Sequence, residues 1–218
     1  MSAITEIEKR YQVTNLDLSL LLDKCTFQSE KRVVDVYLDT PDAAHYRNGV
    51  FIRIRDGKTI DVKFNPEHVQ GGQGTDHVSC AEYSFTEPLS ENDTDKFQAL
   101  TKLVGLSQPN GATFQDFIAH NNLQEFLTLD KIRKTYTHEN LTVVVDNVAD
   151  FGTFLEVEIE TSEDHAVDLE TAVGQIDAFV VPLQATALKS GAFELILRER
   201  NFDVYKQGRY LLDEDKAA

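Results

Sequence analysis

Two short segments of this sequence carry acids at every second position. Glu6 and Glu8, followed by Arg10, alternate with Ile7, Lys9 and Tyr11, and Glu156, Glu158 and Glu160 alternate with Leu155, Val157 and Ile159. In an extended chain every second side chain points the same way, so each set shares one face of a strand. Carboxylates aligned in this way repel one another, and sheet formation does not require them. They gain a purpose if they hold a hard divalent cation, because Mg²⁺ and Mn²⁺ prefer carboxylate oxygens. Elsewhere the sign reverses: Arg53 and Arg55 flank Ile54, Lys63 follows Val62, and Lys131 and Arg133 flank Ile132. Such cations suit an anion with several phosphates, to which Arg offers a bidentate fork and Lys a point charge. Taken one strand at a time, a solvated face of mixed charge accounts for each row. Taken together, the rows read as a metal side and a phosphate side of one polar passage.

These faces need strands to carry them. Ile4–Val13, Lys31–Asp39, Val50–Arg55, Thr59–Phe64, Val78–Phe85, Lys131–His138, Leu141–Asp146 and Thr153–Glu160 have the Val, Ile, Phe and Tyr content and the alternation of strands. Turn signals separate several of them, at Asp39-Thr40-Pro41-Asp42, Asn48-Gly49, Asp56-Gly57 and Glu139-Asn140. The Asp56-Gly57 pair stands at near-hairpin spacing, which implies antiparallel neighbours. About eight strands joined in this way predict an antiparallel sheet that can close as a barrel. Helical spacing appears over Asn15–Lys24, in the stretch after Ser90 with Phe97, Leu100, Leu103 and Val104, and between Ala112 and Leu127 with Phe114, Phe117, Ile118 and Phe126. It returns over Asp168–Val180 and Ala185–Arg198, separated near Pro182. If the charged faces turn inward, these helices cover the apolar faces. The run Gln70-Gly71-Gly72-Gln73-Gly74 lacks the spacing and lysine of a P-loop and reads as a hairpin loop.

The length of 218 residues predicts one domain, 1-218, with a helical extension from about residue 198. With 21 Lys+Arg against 37 Asp+Glu, the formal charge of −16 argues against a general nucleic-acid binder or a polybasic membrane-surface protein. At 41 % apolar and 27 % charged residues, a folded core is expected rather than disorder. Cys25 and Cys80 are too few for a disulfide framework or a thiolate zinc cluster and read as buried or unreactive thiols. His45, His68, His77, His120, His138 and His165 never pair at zinc-ligand spacing. No apolar run approaches the ~20 residues of a membrane span. The opening MSAITEIEKR lacks a basic stretch followed by an apolar one, so a cytoplasmic protein is expected.

The order of these motifs resembles the CYTH superfamily, the triphosphate tunnel metalloenzymes. Glu6-Ile7-Glu8-Lys9-Arg10 is similar to the family's Glu-x-Glu-x-Lys opening, and Tyr37-Leu38-Asp39-Thr40-Pro41-Asp42 to its Tyr-x-Asp-Thr-Pro turn. Phe51-Ile52-Arg53-Ile54-Arg55 resembles its Leu-Arg-x-Arg strand, and Lys63 falls where the next strand supplies a lysine. Arg133-Lys134-Thr135-Tyr136 resembles the family's basic strand. Asp146 with Phe151-Gly152-Thr153-Phe154-Leu155-Glu156-Val157-Glu158 is similar to its Asp…Gly-x-Phe-x-Glu-x-Glu segment, and Leu188-Lys189-Ser190 to the Lys-Ser of its closing helix. Two positions depart from the pattern. Arg10 stands where the family has lysine, and Gly191 where some relatives have tyrosine.

The resemblance implies an α+β fold: an eight-stranded antiparallel β-barrel, the triphosphate tunnel, with helices packed outside. It implies a metal set of Glu6, Glu8, Asp146, Glu156 and Glu158 holding Mg²⁺ or Mn²⁺. It implies phosphate contacts from Arg10, Arg53, Arg55, Lys63, Arg133 and Lys189, with Glu6, Glu8 and Lys189 taking part in the chemistry. The expected activity is hydrolysis of inorganic, thiamine or nucleoside triphosphate by a monomer or homodimer. The alternatives are a class IV adenylyl cyclase, suggested by Val144-Val145-Asp146-Asn147-Val148 before Phe151-Gly152, and a non-catalytic polyphosphate-binding module. Asp39 and Asp42 read as turn formers, Asp61 as an ion-pair partner and Tyr136 as packing. Glu82 and Lys131 stay open between tunnel and rim, and Glu160 between the metal face and the tunnel mouth.

Overall fold

Alternation in the sequence becomes register in the fold. The computed structural model describes residues 4–66, 79–107, 113–161 and 167–216. Among them run nine strands: β1 (Ile4–Gln12), β2 (Thr26–Asp39), β3 (Val50–Arg55), β4 (Thr59–Phe64), β5 (Ser79–Thr86), β6 (Gln124–His138), β7 (Leu141–Val148), β8 (Gly152–Thr161) and β9 (Ala187–Leu188). They hydrogen-bond in the order β5-β4-β3-β2-β6-β7-β8-β1-β9, and a further β5–β1 pairing closes the first eight into a ring. Every pairing is antiparallel. Closure pairs each of the eight strands on both sides over at least part of its length, and β1 is shared: Ile4–Ile7 lies on β5, while Arg10 and Tyr11 lie on β9. Between β3 and β4, Asp56 and Gly57 take positive φ values of 51° and 67°. The Lys58 N–H donates to the Arg55 carbonyl at 3.0 Å, giving the primed turn that suits twisted strands.

Helices cover the outward apolar faces. They are α1 (Ser19–Leu22), α2 (Ala44–Arg47), α3 (Glu91–Leu103), α4 (Phe114–His120), α5 (Leu169–Val180), α6 (Ala192–Arg200) and α7 (Phe202–Tyr205). One core joins Ile52, Ile60, Val62 and Phe85 to Phe97 of α3 and Phe114 and Phe117 of α4. A second joins Ile7, Tyr11, Val143, Leu155 and Val157 to Leu21 of α1 and Ile176 of α5. Burying side chains of this size contributes about 1.5–3 kcal/mol each, so the apolar strand faces are committed outward and the charged faces inward. Ser90 and Asp168 cap α3 and α5 as N-caps, accepting from the Asp93 N–H at 3.1 Å and the Thr171 N–H at 3.0 Å.

The first turn of α6 crosses one end of the ring. A Cβ placed on Gly191 would lie 3.8 Å from Arg10 Cδ of β1. Two residues on, the Phe193 ring lies 4.5 Å from Tyr37 of β2 and 5.5 Å from Phe51 of β3, centroid to centroid. β1 and β2 are four steps apart in the strand order, on opposite sides of the ring. The chain after α7 folds back over this end. A Cβ on Gly208 would meet the Tyr46 hydroxyl at 2.2 Å, so only glycine lets the chain pass there. Ser190 Oγ donates to the Tyr210 carbonyl at 2.7 Å, and Tyr210 stacks on Phe51 at 5.9 Å.

The structure differs from the sequence expectation at several elements. Phe126 belongs to β6 rather than to a helix: α4 ends at Asn121, Asn122 takes a φ of 52°, and from Gln124 the chain pairs with β2. The helix expected over Asn15–Lys24 contracts to the four residues of α1, because the Val13 N–H is engaged by the Thr153 carbonyl and Asp17 accepts from the Ser19 N–H. β2 starts at Thr26, not Lys31, and β6 at Gln124, not Lys131. The added part of β2 is exposed on both faces over most of its length, so no apolar alternation marks it. Ala185–Arg198 divides into β9 and α6 because Leu188 pairs with Arg10 of β1. The Gln70–Gly74 run, Val78, His68, His77 and His165 lie outside the described residues. No helix among the described residues is long and apolar enough to cross a membrane.

Candidate functional site

Inside the ring is a cavity of about 260 Å³. Alternate residues of the strands line it: Glu6, Glu8 and Arg10 from β1, Arg53 and Arg55 from β3, Asp61 and Lys63 from β4, and Glu82 from β5. Lys131 and Arg133 of β6, Asp146 of β7, and Glu156 and Glu158 of β8 complete the charged lining. Tyr37, Phe51, Leu129, Phe154 and the first turn of α6 form its apolar part. Glu194 also lines the cavity, but one of its oxygens is engaged by the Gly191 N–H at 2.9 Å, as the cap of α6.

Charges alternate around the wall in a closed belt. Arg53 bonds Glu82 at 2.9 Å, Glu82 approaches Lys63 at 3.5 Å, and Lys63 meets Glu8 at 2.6 Å. Glu8 pairs with Arg10, Arg10 with Glu156 at 3.3 Å, and Glu156 with Arg133 at 3.2 Å. Arg133 forks onto both oxygens of Asp146 at 2.8 and 2.6 Å, and Asp146 accepts from Lys131 at 2.8 Å. Lys131 reaches Asp35 at 3.3 Å, and Asp35 lies 3.9 Å from Arg53, which closes the circuit. Buried ions are tolerated in this density only when each is paired and hydrogen-bonded, and the belt meets that condition. Asp61 braces the basic side from within, accepting from Arg53 at 2.9 Å and from Ser84 at 2.6 Å.

Glu158 stands apart from these ion pairs. Glu158 has no ion-pair partner among the described residues, while Glu6 is held by Lys63 at 2.8 Å. Glu6, Glu8 and Glu158 each present an oxygen such that all three lie within 4.8 Å of one another. The Glu158 carboxyl is pushed up to about 8, first by burial and then by Glu6, Glu156 and Glu8, with Lys63 opposing. Glu6 is raised as well, by burial, with Lys63 opposing and Glu82 and Glu8 adding. By contrast, burial would raise Glu82, but Arg53, Lys63 and Arg55 outweigh it and hold its carboxyl down at about 2. Glu156 is likewise held well below its usual range, since Arg133 and Arg10 overcome its burial. Crowded carboxylates with one left unpaired are the donor set a hard dication satisfies, so Glu6, Glu8 and Glu158 fit a divalent ion.

The structure brings most of the sequence-predicted residues into one cavity and leaves others out. Glu6, Glu8, Arg10, Arg53, Arg55, Lys63, Arg133, Asp146, Glu156 and Glu158 all line it. Asp146 and Glu156, expected beside a metal, here hold Arg133 and Lys131 or Arg133 and Arg10. Lys189 is not brought to them: it is 56 % exposed at its side chain and bonds Asp213 at 2.8 Å. Leu188 pairs with β1, and this turns Lys189 toward the C-terminal segment. Glu82 and Lys131 face the cavity, and Glu160 is exposed. Asp39 forms its turn, accepting from the N–H groups of Thr40, His45 and Tyr46 at 2.7, 3.0 and 2.8 Å.

Asp35 was not anticipated. It is fully buried, it does not line the cavity, and it sits behind the basic wall, where Arg55 Nε bonds it at 2.8 Å. Burial would raise its carboxyl, but Arg53, Arg55 and Lys131 hold it well below the ordinary range. A carboxylate among Val33, Val34 and Val36 was the signal available in the sequence. At Gly191, where the family resemblance implies a tyrosine in some relatives, a Cβ would crowd Glu194 Oε2 at 3.0 Å. Phe193 and Tyr210 supply the aromatic cover at that end instead.

Comparisons place this geometry among known proteins. The protein PH1819 of Pyrococcus horikoshii OT3 superposes with a TM-score of 0.60 at 18 % identity, over 89 % of this chain and 99 % of that one. A Vibrio parahaemolyticus protein named as a provisional adenylate cyclase gives 0.53 at 16 % identity, covering 90 % and 99 %. HpAC1 of Hippeastrum, named as a provisional adenylyl cyclase with a dominant triphosphatase activity, gives 0.54 at 16 % identity, covering 90 % and 95 %. At these identities the likeness concerns the fold. No curated protein sequence matches the chain. The CYTH domain family model matches residues 5–172, which takes in β1 to β8 and the charged strand residues of the cavity, and the chain belongs to the CYTH family.

Proposed function

We propose that the cavity hydrolyses a triphosphate with the help of a divalent cation and releases orthophosphate. One observation carries the reading: six cations and a three-carboxylate cluster face one cavity, and one of those carboxylates is in no ion pair among the described residues. The lining holds two more carboxylates than cations, so an unaccompanied polyanion is disfavoured and a dication is needed with it. When bound, Mg²⁺ or Mn²⁺ would be held by Glu6, Glu8 and Glu158 and would offset phosphate charge. Arg53, Arg55, Arg133 and Lys63 bind the phosphate oxygens, Arg through its planar fork, and Lys131 adds a point charge behind them. Arg10, in place of the lysine common in the family, stabilises charge developing on the leaving phosphate from the α6 end. Glu6, partly accessible beside Lys63, accepts a hydrogen bond from the water that attacks the terminal phosphorus and receives its proton as the bridging P–O bond to the diphosphate breaks. Lys189, held by Asp213 outside the cavity, has no part in these steps.

The triphosphate reading rests on the charged lining of this cavity of about 260 Å³ and does not require a nucleoside pocket. The triphosphatase activity named for the Hippeastrum protein points the same way. The test is incubation with tripolyphosphate, thiamine triphosphate or ATP, each with Mg²⁺, Mn²⁺ or chelator. Orthophosphate appearing only with metal supports the proposal. Cyclic AMP with pyrophosphate replaces it by the cyclase, and binding without turnover by a phosphate-binding module.

A further inference from the structure

The carboxylates that fit a dication also hold the cations that would bind phosphate. Glu8 lies in the metal-fitting trio and is itself only 3 % exposed, yet it is engaged by both Lys63, at 2.6 Å, and Arg10. Lys63 is further held by Glu6 at 2.8 Å and Glu82 at 3.5 Å, so its ammonium is surrounded by acids. An ammonium has three donors and a guanidinium five, and those spent on carboxylates are not free for a phosphate. We propose that Glu8 is a switch between the two ligands: a dication taking Glu8 releases Lys63 and Arg10 to the triphosphate, so metal and triphosphate each strengthen binding of the other. This deepens the triphosphate reading and rests on it.

Coupling of this kind requires a group that interacts differently in the two states, and Glu8 is one: it faces cations of the protein without metal and the dication with it. Glu158 is the internal contrast. It belongs to the same trio, but it pairs with no cation among the described residues, so neutralising it releases none. The two positions are matched in chemistry and differ in what they hold.

Isothermal titration of inorganic tripolyphosphate in chelator, where turnover is absent, separates them. Glu8→Gln should bind tripolyphosphate about tenfold more tightly than the wild-type protein, within the usual range of coupling between sites. Glu82→Gln, which frees Lys63 and Arg53 without touching the trio, should shift affinity the same way, and it decides the matter if Glu8→Gln does not fold. Glu158→Gln should change affinity less than about twofold. With Mg²⁺ and hydrolysis-resistant imidotriphosphate, the wild type should gain about tenfold over chelator, and Glu8→Gln should gain much less. If the wild type binds tripolyphosphate but neither Glu8→Gln nor Glu82→Gln binds it more tightly, the switch is overturned and the site reading stands. If no form binds tripolyphosphate under any condition, the site reading falls and the switch with it.

Discussion

The two sides of the cavity handle charge differently. On the side built by β2, β3, β6 and β7, every cation faces an acid fixed behind or beside it: Asp35 under Arg55 and Lys131, Asp61 under Arg53, and Asp146 under Arg133. On the β1–β8 side, Glu6, Glu8 and Glu158 crowd together, and Glu158 meets no cation of the protein among the described residues. The first side is electrostatically complete, with its guanidinium planes preset for a polyanion. The second is incomplete until a dication joins it. On the reading proposed above, a site in which one wall is finished and the other waits for a ligand binds its two ligands best together.

The largest expected effect comes from leaving the second wall unfinished. Chelation should lower orthophosphate release by at least about a thousandfold, the scale of several kcal/mol of transition-state charge stabilisation, and added Mg²⁺ or Mn²⁺ should restore it. Next, Glu8→Gln should cost about a hundredfold or more in kcat/KM, and Glu158→Gln should mainly raise the metal concentration for half-maximal rate. Equal losses with unchanged metal titration in both would overturn the β1–β8 wall as the metal side.

The first wall is tested by stability rather than rate. Asp35→Asn leaves Arg53, Arg55 and Lys131 without their shared buried carboxylate and should destabilise by about 3 kcal/mol, read from urea midpoints. Glu158→Gln in chelator should show no such loss.

The pH dependence has opposite signs at Glu158 and Glu82. Glu158 keeps its proton to about 8 in the folded chain but only to about 4.5 when unfolded, so the folded state binds the extra proton between those values. Its contribution to stability is therefore present at pH 4.5 and below and is lost as pH rises toward 8. Glu82, held at about 2, contributes above 4.5 and loses that contribution as pH falls toward 2. Thermal unfolding without metal should show the fall toward pH 8 in the wild type and a flatter line in Glu158→Gln. The smallest effect should be Lys189→Ala: its pair with Asp213 is exposed and screened by solvent, and turnover should change less than about threefold. A hundredfold loss would bring Lys189 into the chemistry.

Legibility in the sequence followed locality. Strand faces are set by a period of two, so Glu6, Glu8 and Arg10, or Glu156 and Glu158, announce themselves within a few residues. The Asp56-Gly57 turn and the caps at Ser90 and Asp168 are equally local. Phe126 does not declare its element locally, because helix and strand both tolerate an aromatic at that spacing, and only pairing with β2 decides between them. The start of β2 was missed because an exposed strand has no apolar face to show. Asp35 was missed because a lone acid among valines gives no hint that Arg53, Arg55 and Lys131 come from two other strands to meet it.

By itself, then, the sequence determined which residues share a strand face, that these faces are charged, and that the opposite faces are apolar enough to demand helices. Periodicity and burial free energy act along a short stretch of chain, and both can be read there. Which acid faces which cation was decided only by closure of the ring, because register and shear bring together residues as far apart as Glu8 and Lys63, or Arg10 and Glu156. Coulomb energy depends on distance in space, and the sequence does not contain that distance. That is why Glu158 is in no ion pair among the described residues, and why Lys189, one residue beyond a strand tied to β1, ends outside the cavity.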